Sequence, residues 1–220
     1  MATGAAPPRI TIGPGDHGRR MTLDEFVAAD GAEGYLYELA RGVVVVTEVP
    51  GIHHGRIVSR ITETLVLYDV AHRGRINYRS AGSDCRLRLP GMQSDRHPDQ
   101  AVYLTPPPRS QRIWHRWVPA IVVEVVSRRG EDRDYVEKRE EYLRCGVTEY
   151  WIFDPERRQM LALRRDGDVW DEVELGDTAE YRTELLPGLV VSVGEILGPA
   201  GGDEIDEVEV PGGDDPAPAG

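Results

Sequence analysis

Lysine is almost missing from this 220-residue chain: of 26 basic residues only Lys138 is not an arginine. Cysteine is scarce too. Cys85 and Cys145 are too few for a disulfide framework or a cysteine-built zinc site, and a reducing cytoplasm is the expected setting. No run approaches the ~20 apolar residues of a membrane helix. No charged start followed by an apolar core marks a secretory signal. HExxH, GxxxxGK[ST] and GxSxG are all absent, which removes local support for a zinc hydrolase, a P-loop enzyme and a serine hydrolase.

The charge that is present is acidic and uneven. Net charge is −12, of which residues 201–220 contribute −7 and residues 1–20 contribute +2. An acidic body argues against a broad electrostatic grip on duplex DNA, though arginines cluster at 73–88, 109–116 and 128–133 and leave room for a local basic cleft. Residues 1–20, rich in Gly, Pro and Ala, read as a flexible lead. The acidic, Gly- and Pro-rich stretch 199–220 reads as a disordered tail. Residues 21–198 then form one domain.

Thr22-Leu23-Asp24-Glu25 fits a capping box and starts a helix. Residues 35–39 and 43–48 read as a hairpin turning at Arg41-Gly42. A long helix spans 54–70, with Ile57, Val58, Ile61, Leu65 and Tyr68 on one face. Strands follow at 76–79, 85–89, 99–104 and 120–126. A helix over 132–145 stops at Gly146, a strand runs over 147–153, and a hairpin leads into 160–164. One βαβ unit among hairpins gives a mixed-sheet α/β or α+β domain.

Five acidic and basic residues stand out against this frame. Glu124 interrupts the run Ile121–Val126, which belongs to a strand covered on both faces; a carboxylate there needs a metal, a cation or hydrogen bonds. A structural ion pair would serve equally well. Lys138, on the helix that follows directly, is placed to meet it over the sheet, with Asp134 and Tyr142 four residues to either side. An ammonium approaches one oxygen closely where a guanidinium cannot, although a lone lysine on a solvated face is the plainer alternative. Asp99 follows Pro98 at a strand entry, where turn-capping aspartates are common. Glu38, among Tyr35, Leu36, Tyr37 and Leu39, reads on its own as an exposed position on an alternating strand. His54 sits at the start of the long helix as a capping, packing or substrate-binding residue.

Two carboxylates and a lysine on neighbouring elements point to phosphodiester hydrolysis. The acids would hold Mg²⁺ or Mn²⁺, which bind oxygen and keep several waters, and the lysine would orient or deprotonate the attacking water or support the phosphorus.

The ordered series Tyr37-Glu38-Leu39, Arg41-Gly42, His54, Pro98-Asp99, Val123-Glu124-Val125-Val126-Ser127, Asp134, Lys138, Tyr142, Gly146-Val147-Thr148-Glu149-Tyr150-Trp151 and Leu186-Pro187-Gly188-Leu189 resembles the Uma2 family. The resemblance implies a restriction-endonuclease-like fold of the PD-(D/E)xK nuclease superfamily, a mixed β-sheet flanked by helices. It implies Asp99 and Glu124 as metal ligands, Glu38 as an additional acid and Mg²⁺ or Mn²⁺ as cofactor. The superfamily's usual lysine would fall at Val126, so Lys138 resembles that lysine moved to the next helix. The implied partner is nucleic acid, chiefly DNA, with a homodimer expected because cutting two strands calls for two sites. A catalytically silent module on the same fold, or a hydrolase of small phosphates, are the competing expectations.

Overall fold

A computed structural model describes residues 10–81, 86–127 and 132–200. Residues 1–9, 82–85, 128–131 and 201–220 lie outside the described residues, and with them Cys85 and most of the expected lead and tail. The second half of that lead has regular structure: β1 (Thr11–Ile12) pairs in parallel with β2 (Asp30–Gly31), and Ile12 is buried.

The capping box forms as read. Thr22 Oγ1 accepts the Glu25 amide at 3.2 Å while Glu25 Oε2 accepts the Thr22 amide at 2.8 Å, opening α1 (Leu23–Ala28). β3 (Tyr35–Ala40) and β4 (Val43–Glu48) form the hairpin. Its two turn residues, Arg41 and Gly42, have φ of 49° and 79°, as a two-residue type I′ turn requires. Helix α2 (Ile52–Ala71) buries Ile57, Ile61, Leu65 and Tyr68, one face at helical spacing.

Among the described residues the larger sheet has six strands in the order β12-β11-β10-β9-β8-β5. These are β5 (Tyr78–Ala81), β8 (Gln100–Tyr103), β9 (Ile121–Val125), β10 (Glu149–Asp154), β11 (Gln159–Asp166) and β12 (Val169–Gly176). β9 and β10 run parallel, joined through α3 (Lys138–Cys145), while the other pairs are antiparallel. Gly146 ends α3 with φ 97°. A four-stranded sheet, order β4-β3-β7-β6, adds β6 (Leu87–Leu89) and β7 (Ser94–Arg96). β13 (Glu180–Tyr181), β14 (Val191–Ser192) and α4 (Val193–Leu197) complete the domain.

The apolar run of β9 is covered on both faces. Ile121, Val123 and Val125 pack with α2, whereas Val122 and Val126 pack with Tyr142, Tyr150 and Ile152. Glu124 therefore points toward α3.

Candidate active site

Three residues of one helical stripe converge on Glu124. Lys138 Nζ lies 2.9 Å from Glu124 Oε1 and 3.0 Å from Asp134 Oδ1, and the Tyr142 hydroxyl donates to Glu124 Oε1 at 2.7 Å. Residues 134, 138 and 142 recur every four positions, so they share a face. The turn leading into α3, Arg133–Glu137, is a π-helix closed by the Lys138 amide donating to the Arg133 carbonyl. The Tyr150 hydroxyl, from the sheet below, donates to the Asp134 carbonyl at 3.0 Å and pins that turn. Lys138 is 7% exposed, so it occupies the sheet-facing side of the helix and not a solvated face.

Asp99 joins them from β8. The register Gln100↔Val123, continued one step, sets Asp99 opposite Glu124. Asp99 does not cap a turn: its Oδ2 accepts the Val125 amide of β9 at 2.8 Å, and its Oδ1 lies 3.0 Å from His54 Nε2 at the start of α2. His54 Nδ1 is buried with no hydrogen-bond partner.

Glu38 departs from the expected exposed strand position. It is 8% exposed because its strand packs toward β7 and α3. Its Oε2 accepts from Arg96 Nη1 at 3.2 Å and its Oε1 accepts the His97 amide at 3.0 Å. Arg96 is fully buried and also forks onto Glu141, Nε to Oε2 at 2.7 Å and Nη2 to Oε1 at 3.1 Å. Neither Arg96 nor Glu141 had a signal in the sequence. Asp134 and Tyr142 did, through their spacing from Lys138.

The electrostatics follow from burial. Burial pushes Glu124 well above the usual carboxylate range, and Asp134, Asp99 and Glu38 add to the rise against the pull of Lys138. Asp134 rises for the same reason, despite Lys138. Burial lowers the pKa of Lys138, but Asp134, Glu124 and Glu38 outweigh it and raise the ammonium above the ordinary lysine range. Burial raises Glu38 as well, yet Lys138, Arg96 and the His97 amide bring it down to about 2. Glu38, Glu124, Asp134 and Glu141 thus share two buried cations, Lys138 and Arg96, with half-exposed Arg41 reaching Glu141 at 3.6 Å and Asp99 paired to His54.

That surplus of carboxylate fits a divalent cation, and the hard oxygen donors of Asp99 and Glu124 suit Mg²⁺ or Mn²⁺. No three His, Cys, Asp or Glu side chains among the described residues close into a cage. An ion held by these two acids would keep most of its coordination as water or substrate, which is the habit of Mg²⁺.

The Uma2 family, described as "Putative restriction endonuclease", matches residues 23–194. The crystal structure of a "putative nuclease belonging to DUF820" from Anabaena variabilis is similar in fold, with a TM-score of 0.67 at 17% identity, over 80% of this chain and 97% of that one. At that identity the likeness speaks to the fold alone: mixed sheets flanked by helices, as expected. No curated protein matches.

Proposed function

Because the chain belongs to the Uma2 family, we propose that it is a divalent-metal-dependent endonuclease hydrolysing phosphodiester bonds of nucleic acid, with DNA as the first substrate to test. The observation that carries this reading is the sole lysine of the chain, buried and clamped between Glu124 and Asp134 beside Asp99. Asp99 and Glu124 would hold the cation, which when bound supplies Lewis acidity at phosphate and acidifies a coordinated water.

The remaining work falls to the chain's own groups. Lys138 stays protonated among its acids, so its part is to hydrogen-bond the phosphate or orient the attacking water, and to meet the negative charge that develops on phosphorus. It is not the base. Tyr142 and Asp134 fix the positions of Glu124 and the ammonium. His54 and the Val125 amide fix Asp99. Glu38 contributes at one remove, through Arg96 and the field it exerts at Lys138.

One observation favours a silent module instead. Both oxygens of Asp99 and Oε1 of Glu124 already have protein partners, so a metal must share or displace them. Cleavage of plasmid and of single-stranded DNA with Mg²⁺ or Mn²⁺ decides between the two. Lys138→Arg is expected to lower the rate at least 100-fold, because two contacts near 3 Å leave no room for a guanidinium fork. Full activity in that variant would remove the lysine from the mechanism. Absence of any metal-dependent cleavage in the native chain would favour the silent module.

A further inference from the structure

The two faces of β8 do different things. Gln100 bonds Thr62 of α2 at 2.7 Å and Val102 packs with the α2 stripe, while Ala101 and Tyr103 pack with Trp117 on the opposite face. Glu124 belongs to that second face, because Ala101 opposes Val122 and Glu124 lies two residues along the same strand. The register carries the face sideways to β5, where Ser80 opposes Ala101 and Tyr78 opposes Tyr103. So Glu124 of the candidate active site and an aromatic cluster share one surface of the sheet. Four residues along β8 separate them, about 13 Å at ~3.3 Å per residue.

The cluster is built as a buried base with one exposed rim, Tyr78, and one half-buried rim, Trp114. Tyr103 and Trp117 are buried with centroids 4.2 Å apart, and the Trp117 indole N–H is fixed on the Thr105 carbonyl at 3.0 Å. Tyr78, 38% exposed, lies 5.3 Å from Trp117, and half-buried Trp114 lies 6.0 Å from it. Trp114 sits in the 3-10 turn Ile113–His115, flanked by exposed Arg112 and Arg116. That turn packs against β6, which carries Arg88; Arg88 Nε lies 3.4 Å from Asp95. Burial and the nearby Arg88 and Arg112 lower the pKa of His115 against Asp24 and Asp95. Ser80 Oγ, on the same sheet face, is buried without a hydrogen-bond partner.

Exposed ring faces and guanidinium forks are the pair of chemistries that grips an unpaired strand. Bases stack on the rings and phosphates take the forks. A duplex hides its base faces and calls for a broad basic surface, which a chain of net charge −12 does not offer. We propose that this face binds single-stranded nucleic acid, with bases stacked on Trp114 and Tyr78 and phosphates held by Arg88, Arg112 and Arg116. The strand then leads toward Asp99 and Glu124, about four nucleotides away at ~3.4 Å per stacked step. That last step rests on the nuclease reading; the platform itself does not.

The test is a binding titration of the intact chain in EDTA and low salt, read by fluorescence anisotropy and tryptophan quenching. The probes are a labelled single-stranded oligothymidylate of about 12 nucleotides and a duplex of equal length. The single strand is expected to quench tryptophan fluorescence and to bind at least tenfold more tightly than the duplex. Trp114→Leu and the exposed Arg112→Gln are each expected to weaken it roughly tenfold. Arg112→Gln supplies the test if Trp114→Leu fails to fold. Equal or tighter duplex binding, no binding, or indifference to both substitutions would overturn the proposal. Trp114-dependent strand binding by a chain that never cleaves would sink the nuclease reading and leave the platform; cleavage with neither substitution mattering would do the reverse.

Discussion

The carboxylate of Glu38 takes hydrogen bonds from the Arg96 guanidinium and the His97 amide, and its pKa lies at about 2, against 4.5 for an ordinary glutamate. A carboxyl whose folded pKa lies below its unfolded value adds stability that is complete above pH 4.5 and lost as the pH falls toward 2. The shift corresponds to about 3 kcal/mol. In urea unfolding, Glu38→Gln should therefore be less stable than the native chain at pH 7, with the gap closing by pH 2 to 3; a gap independent of pH would contradict the ionised pair. The sequence could not place this acid. Alternation in Tyr35–Leu39 puts Glu38 on one face of a strand without saying what covers that face, and its cover, Arg96, lies 58 residues further along the chain. Glu124 and Lys138 were legible because each breaks its background: a charge inside an apolar run, and a lone lysine among arginines.

Elements were legible in proportion to their periodicity. The α2 stripe, the capping box of α1, the turn at Arg41-Gly42 and the β9–α3–β10 unit all follow from local rules. β7 follows from none: Ser94, Asp95 and Arg96 are all buried, yet all are polar. It holds the small sheet to α3 through charge, because Arg96 joins Glu38 of β3 to Glu141 of α3. Arg96→Met would leave buried Glu38 held by the His97 amide and Glu141 held by Arg41 at 3.6 Å and the Ser94 hydroxyl, a loss of about 3 kcal/mol and a fall in Tm on the order of 10 °C. An unchanged Tm in calorimetry would show that the brace carries little. β12 escaped notice for the opposite reason, since its residues are mostly exposed and follow no apolar alternation. The π-turn at Arg133–Glu137 has no sequence signature either, although it sets the spacing of Asp134 and Lys138.

Across the whole molecule, a net charge of −12 is concentrated inward as well as outward. Its buried acids exceed its buried cations on the face shared by β8, β9 and α3. The chain belongs to the Uma2 family, described as "Putative restriction endonuclease", and no helix of the described residues is long and apolar enough to cross a membrane. In the proposed mechanism a divalent metal would join fold to chemistry, and testing for it requires no choice of substrate. Calorimetric titration of Mn²⁺ into the native chain and into Asp99→Asn at neutral pH tests the central claim most directly. Saturable binding in the native chain, weakened at least tenfold in the variant, is the predicted result. Equal binding in both, or none at millimolar Mn²⁺, would contradict a metal held by Asp99 and Glu124.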